Sequence, residues 1–471
     1  MQYYVIFQLS FSMKREIIQL FYDWKTRQNR KPLIVRGARQ VGKTYAITEF
    51  AKGKFSEFVK VNLEEEPQLR SLFQSNNPEN IINQLSLLYN KKFNPGSTLL
   101  FIDEIQSCPE ALVSLRYFYE QMPGLHVIAA GSLLDHTLNE MKHSMPVGRV
   151  EFCYMYPLNF REFLWALSET RLSDYLDSFT PGAEISESVH IKLLNLLRYY
   201  LFIGGMPEAV HEYIKTNDLL EVTRVHNNIL TSLKYDFAKY GTRSQQQSLI
   251  TVFNYIAQNA GKKIKYVNID KEIRSANLKE ALYKLELSRL ITIAKYTSSP
   301  GIPLTTNMKG DIYKAYFLDT GLANHLSKIQ LLNIPQIMTI NEGILAEQFV
   351  AQELVTQNPP FIDPDLFYWL REEKNANAEV DFIFQHRNKI YPLEVKSGKT
   401  GTLKSMHLYL FEKKLNVGIR LNADLPSFGE FPAKIWDGFN SGKLNYKLLS
   451  LPIYLTNQIS RLLDHYENDG Y

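Results

Sequence analysis

Residues 37–44 read Gly-Ala-Arg-Gln-Val-Gly-Lys-Thr, a complete G-x-x-x-x-G-K-T sequence in a fitting local setting. The apolar run Leu33-Ile34-Val35 before it reads as a buried strand, and residues 44–50 after it read as a helix. Glycine at Gly37 and Gly42 lets the backbone curl so that successive N–H groups of Ala38, Arg39, Gln40 and Val41 face phosphate oxygens at the helix start. Lys43 then reaches the outer phosphates and the Thr44 hydroxyl is placed for Mg²⁺. A strand, this loop and a helix commit the first part of the chain to a parallel α/β sheet. They also predict that it binds a nucleoside triphosphate.

A chain of 471 residues has room for about three domains. Its 53 basic and 49 acidic side chains leave a net charge of +4, too little to argue for nucleic acid on charge alone. The two cysteines, Cys108 and Cys153, exclude a disulfide framework and suit a reducing compartment. The first twelve residues are apolar, but they lack a basic leader and a small-residue cleavage site. An amphipathic stretch opens at Met13-Lys14-Arg15, which makes Met13 a candidate start. No later stretch approaches the ~18 apolar residues of a membrane span. The expectation is a soluble, cytoplasmic protein without a membrane partner.

Further strands are expected at residues 58–63, 97–102, 126–130 and 150–154, with helices over 13–28 and 67–92. Strands alternating with helices predict a parallel, doubly wound sheet. Residues 158–239 read as helical and include a lid-like Gly204-Gly205-Met206-Pro207. Residues 246–296 read helix, helix, helix, strand, the outline of a winged helix. Beyond Gly343 the pattern becomes helix, strand, strand, helix, strand. The expected domains are 13–160, 161–245, 246–340 and 341–471.

Asp103-Glu104 closes an apolar strand, where a hydrolytic P-loop protein needs two carboxylates. Asp103 is placed to bind Mg²⁺ and Glu104 to polarise the attacking water. Ser132, after the strand at 126–130, is placed to sense the terminal phosphate. Arg149 is a candidate arginine finger, within its own chain or from a neighbouring subunit.

A second constellation spans Glu379, Asp381, Glu394 and Lys396. Strand alternation puts Glu394 and Lys396 on one face. If pairing brings Asp381 beside Glu394, both carboxylates can bind Mg²⁺ and Lys396 can position water for phosphodiester hydrolysis. Charges in an otherwise apolar strand are costly unless paired or metal-bound. Glu347 could add a further carboxylate, and salt-bridged hairpins use the same residue types.

At residues 37–44, 100–106, 131–132, 148–149, 156–163, 204–207, 316–322, 343–353 and the 379–396 cluster, the chain resembles a known family. These are prokaryotic AAA-superfamily ATPases carrying a C-terminal domain of unknown function related to PD-(D/E)xK nucleases. The resemblance implies ATP and Mg²⁺ as cofactors, a P-loop α/β domain, a helical and winged-helix middle, and a nuclease-like α/β C-terminus. It leaves three readings: an ATPase driving its downstream modules, an ATP-regulated DNA-processing nuclease, and a nucleotide-controlled scaffold. DNA is a candidate partner through the lysines at 262, 263, 265 and 271 and Arg274. Self-association is open.

Overall fold

Strand alternation sends Leu33, Val35, Leu99 and Phe101 to one face of a sheet and Ile34, Leu100 and Ile102 to the other, and all seven are buried. The sheet therefore needs cover on both sides. In the computed structural model, which describes residues 13–132, 134–140, 148–328, 342–373, 376–396, 402–436 and 441–468, helices supply it. The strands β1 (Leu33–Arg36), β2 (Glu57–Asn62), β3 (Thr98–Asp103), β4 (His126–Gly131) and β5 (Glu151–Tyr154) are parallel, in the order β2-β3-β4-β1-β5. On one face pack α1 (Ile17–Thr26), through Phe21 and Trp24, and α2 (Lys43–Lys54), through Ile47 and Phe50. On the other lie α3 (Pro78–Tyr89) and α4 (Pro109–Gln121), with Ile81, Leu85, Leu112 and Leu115. Each such side chain contributes about 1.5–3 kcal/mol of burial. The helix α5 (Leu134–Glu140) follows β4.

The single helix expected at 67–92 is two elements, a 3₁₀ segment Pro67–Ser75 and then α3. Asn76 takes a left-handed φ of 50°, the Asn77 side chain caps Asn80, and Pro78 opens the new helix. The helix expected from Met13 begins only at Ile17, after Arg15 pairs with the Glu162 carboxylate and the Glu16 backbone N–H donates to it at 2.7 Å.

A run of helices follows: α6 (Phe160–Ala166), α7 (Thr170–Ser178), α8 (Glu187–Ile203), α9 (Pro207–Thr216) and α10 (Leu219–Asp236). Then come α11 (Arg243–Gln258), α12 (Tyr266–Ile269) and α13 (Ser275–Leu287), with β6 (Ile291–Thr297) antiparallel to β7 (Met308–Phe317) and then α14 (Thr320–Leu326). Past α15 (Glu342–Thr356), β8 (Leu366–Glu373) pairs in parallel with β6 and antiparallel with β9 (Ala376–Val380). The sheet β7-β6-β8-β9 thus joins residues on both sides of position 341.

A last sheet, β10-β11-β12-β14-β13, is built from β10 (Phe382–His386), β11 (Lys389–Val395), β12 (Val417–Asn422), β13 (Ser427–Trp436) and β14 (Ser441–Pro452). It is accompanied by α16 (Lys404–Lys413) and α17 (Ile459–Asn468). The C-terminal part therefore holds more strands than the pattern predicted. The run 376–386 is split between two sheets, β9 pairing with β8 and β10 with β11. The chain turns at Asp381, whose carboxylate accepts the Val395 N–H at 2.7 Å.

Buried polar side chains join these parts. Asp319 is fully buried and accepts from the N–H of Gly205 at 2.6 Å and of Leu322 at 3.0 Å. Gly205 must be glycine, since a Cβ there would lie 2.0 Å from the Leu158 carbonyl oxygen. Gln352 of α15 donates to the Tyr200 hydroxyl at 2.8 Å and accepts from Thr320 N–H at 3.1 Å. Glu353 accepts from Phe160 N–H at 2.8 Å and from the Asn457 amide at 3.4 Å.

Burial raises the Glu353 carboxyl from 4.5 to about 8, with the Phe160 N–H and the Asn457 amide opposing. The folded state thus holds this proton more tightly than the unfolded chain does. Its stabilisation is complete below the unfolded value and is lost as pH rises towards the folded one. Wild-type thermal stability should fall as pH rises from 4.5 to about 8, and Glu353→Gln should flatten that fall. An equal fall in the variant would remove Glu353 from the account.

Candidate nucleotide site and C-terminal carboxylate cluster

The loop 37–44 leaves the carboxyl end of β1 and enters α2 at Gly42, whose φ of 93° is left-handed and suits glycine. No side chain caps the first turn of α2, so its N–H groups stay available to an anion. Lys43 is buried, and its Nζ donates to the carbonyls of Gly37 at 2.9 Å and Ala38 at 2.7 Å. Burial lowers its ammonium to about 8, with Glu104 and Asp103 opposing. The underside of the loop is held by Arg15, which donates to the Val41 carbonyl at 2.9 Å and to Tyr156, and pairs with Glu162 at 3.0 Å. A Cβ at Gly42 would come within 3.3 Å of Pro207 at the start of α9, so the Gly204–Pro207 segment borders the loop.

Asp103 ends β3 facing the loop, and its carboxylate accepts from the Thr44 hydroxyl at 2.9 Å. Lys60 of β2 lies 3.2 Å from the same oxygen. Glu104 follows with a left-handed φ of 49°, a conformation costing ~1 kcal/mol in a residue with a Cβ. Its backbone N–H donates to Asp103 at 3.1 Å, and its carboxylate takes the Gln106 amide at 2.5 Å and the Ser132 hydroxyl at 3.5 Å. Arg39 donates to Ser132 at 3.3 Å and pairs with Asp236, the last residue of α10, at 3.0 Å. The Thr44 hydroxyl and Asp103 carboxylate are hard oxygen donors, which suits Mg²⁺. Beside them stands a carboxylate able to take a proton from water.

Arg149 does not join this group. It precedes β5 at the amino ends of the strands, since Glu151 pairs with Leu33, the first residue of β1. The loop lies at the carboxyl ends. Arg149 is exposed and paired with Glu120 at 2.9 Å. Arg149 therefore stands at the opposite end of the sheet from the loop of its own chain.

In the C-terminal part, the register Phe382↔Leu393 puts Asp381 beside Glu394. Lys396 pairs with Glu394 at 2.7 Å. Burial raises the Glu394 carboxyl to about 8, Asp381 adds to the rise and Lys396 opposes it. Glu347 of α15 joins them, raised to about 7 by burial against the pull of Lys314. Lys314 of β7, fully buried, lies 2.9 Å from Glu347 and 2.5 Å from Glu379, while the Tyr316 hydroxyl donates to Glu347 at 2.6 Å. The carboxylates are thus engaged by two lysines. Among the described residues, no three His, Cys, Asp or Glu side chains are arranged to hold a metal ion.

Residues 29–164 match an AAA domain, residues 194–333 a domain of unknown function (DUF8612), and residues 342–425 another (DUF4143). Residues 29–164 are an AAA-type P-loop domain. No curated protein matches the chain. Among solved structures, the Walker-type ATPase PABY2304 of Pyrococcus abyssi is similar at 15% identity, covering 67% of this chain and 95% of that one, with a TM-score of 0.43. The Aeropyrum pernix ORC2 protein is similar at 14% identity over 68% of this chain and 92% of that one, with a TM-score of 0.34. The Thermotoga maritima RuvB branch migration motor, at 14% identity, covers 59% and 89% with a TM-score of 0.28. Among the described residues, no helix is long and apolar enough to cross a membrane.

Around the AAA domain the sequence reading missed Arg15, Lys60 and Asp236, and in the C-terminal cluster it missed Lys314. A lysine inside a strand of alternating pattern was the available signal for Lys60 and Lys314. Arg15 and Asp236 carry no local signal, since each is defined by a partner far along the chain. Arg15→Met should leave the Glu162 carboxylate buried without its cation and cost about 3 kcal/mol of stability in urea denaturation. Adding Glu162→Gln should restore part of the loss, whereas simple additivity would show that the pair does not act as a unit.

Proposed function

We propose that the chain is a Mg²⁺-dependent ATPase whose nucleotide state is passed to the regions after the AAA domain. The observation that carries this reading is the 2.9 Å hydrogen bond between Thr44 and Asp103 beside an uncapped helix start, with Glu104 adjacent. In this reading, Lys43 exchanges the Gly37 and Ala38 carbonyls for phosphate oxygens, and the loop N–H groups bind the rest of the phosphate chain. Thr44 and Asp103 hold the Mg²⁺, which when bound neutralises phosphate charge. Glu104 receives the proton of the attacking water, and Ser132 orients Glu104 or the terminal phosphate. Exposed Arg149 is left for a neighbouring copy. Absence of tight ATP binding in Lys43→Ala and normal ATP binding with hydrolysis reduced about 100-fold or more in Glu104→Gln are the expected results. Wild-type affinity in Lys43→Ala would sink the assignment.

A second reading adds phosphodiester cleavage in a nuclease-like C-terminal domain, with residues 246–340 as a winged-helix DNA contact. It is supported by the convergence of Glu347, Asp381 and Lys396 around the buried carboxylate of Glu394. Asp381 and Glu394 would hold Mg²⁺ and Lys396 would position water. Plasmid nicking in Mg²⁺ and ATP, abolished by Asp381→Asn, is the expected result. Intact ATPase activity without nicking on any substrate would reduce the domain to a binding fold.

A further inference from the structure

Arg39 is the third residue of the loop, and its guanidinium is held by groups from three separate segments. Its Nε lies 3.0 Å from the Asp236 carboxylate and 3.3 Å from the Ser132 hydroxyl, and another nitrogen lies 3.7 Å from Glu64. Ser132 in turn reaches Glu104, so the guanidinium sits on the side of the loop where the hydrolytic groups collect. A terminal phosphate must lie on that side to be attacked. The inner phosphates are the share of the loop N–H groups and the start of α2, and Lys43 reaches from them to the outer ones.

Asp236 is no local partner. It ends α10, and the next residues form a 3₁₀ turn, Phe237–Tyr240, leading into α11. Buried Phe237 packs on Phe253 of α11 with ring centroids 5.4 Å apart. What holds Asp236 therefore holds the junction between the helical region and the three-helix unit after it. An arginine keeps its charge at every working pH, so deprotonation does not release it and a competing anion does. A phosphate oxygen is such a competitor, with a higher charge than a carboxylate and the same fork geometry.

We propose that Arg39 reads the terminal phosphate by exchanging Asp236 for it, so that ATP, and not ADP, frees the end of α10. This rests on the reading of residues 37–44 as the nucleotide site. The exchange supplies what that reading lacks, a route by which the presence of one phosphate reaches residues beyond 236. It is a population shift with a definite sign. If ATP breaks the Arg39–Asp236 pair, the pair must weaken ATP binding by the same factor.

The test is calorimetric titration of the full chain with ADP and with a hydrolysis-resistant ATP analogue, each with Mg²⁺. Asp236→Asn should tighten the analogue about fivefold or more while leaving ADP unchanged. Asp236→Glu, which keeps the charge, should stay near wild type. Arg39→Gln should lose the preference for the analogue, and adding Asp236→Asn to it should change nothing further. In the wild type, hydrogen exchange of the amides at 235–238 should rise with the analogue and not with ADP. Equal shifts for both nucleotides in Asp236→Asn, or an unchanged ratio, would overturn the exchange while leaving the nucleotide site standing. A wild-type chain that binds neither nucleotide would overturn both.

Discussion

The carboxylate of Asp319 is the contact on which the arrangement of the chain depends. It is fully buried, and it is tolerated because hydrogen-bond donors, the backbone N–H groups of Gly205 and Leu322 among them, point at it. One of those donors belongs to the segment bordering the nucleotide loop and the other to the first turn of α14. Two regions more than a hundred positions apart are thereby set against each other. Burial pushes the Asp319 carboxyl up to about 6, so the fold carries a cost in order to keep this contact ionised. Apolar packing could hold the same surfaces together, but it would not select one register between them. The directional hydrogen bonds do.

The same device recurs wherever parts of the molecule meet. Arg15 clamps the loop to Glu162, Glu353 clamps α6 to α15, and Lys314 draws Glu347 and Glu379 to β7. Arg289, after α13, pairs with Asp135 of the AAA domain and with Asp363 before β8. Such contacts are expensive to leave half made, so each favours discrete arrangements over gradual ones. β7 and the residues after it carry three of these anchors in sequence, Lys314, Tyr316 and Asp319, between the C-terminal cluster and the nucleotide loop.

Much of the nucleotide site could be read from residue order. The loop 37–44 joins a strand to a helix and the acidic pair at 103–104 closes a neighbouring strand, so local geometry alone brings Thr44 and Asp103 together. Asp381, Glu394 and Lys396 were legible for the same reason, once antiparallel pairing was assumed. The break at Asp381 was not, because it comes from a hydrogen bond to Val395 rather than from any turn residue. Whether Arg149 faces the loop of its own chain was open at the level of sequence, which gives its distance from the loop in residues, not which end of the sheet it occupies.

Periodicity and side-chain type are enough to define the alternating strands, the phosphate loop and the candidate residues for chemistry. Only the tertiary structure decided which charges face one another. Arg39 could as well have been solvated, and Lys314 could have been an ordinary surface lysine. A charge in an aqueous loop and a charge in a buried cluster are written with the same letter. The difference lies in the desolvation that distant segments impose and the partners they bring, and neither exists until the chain has folded.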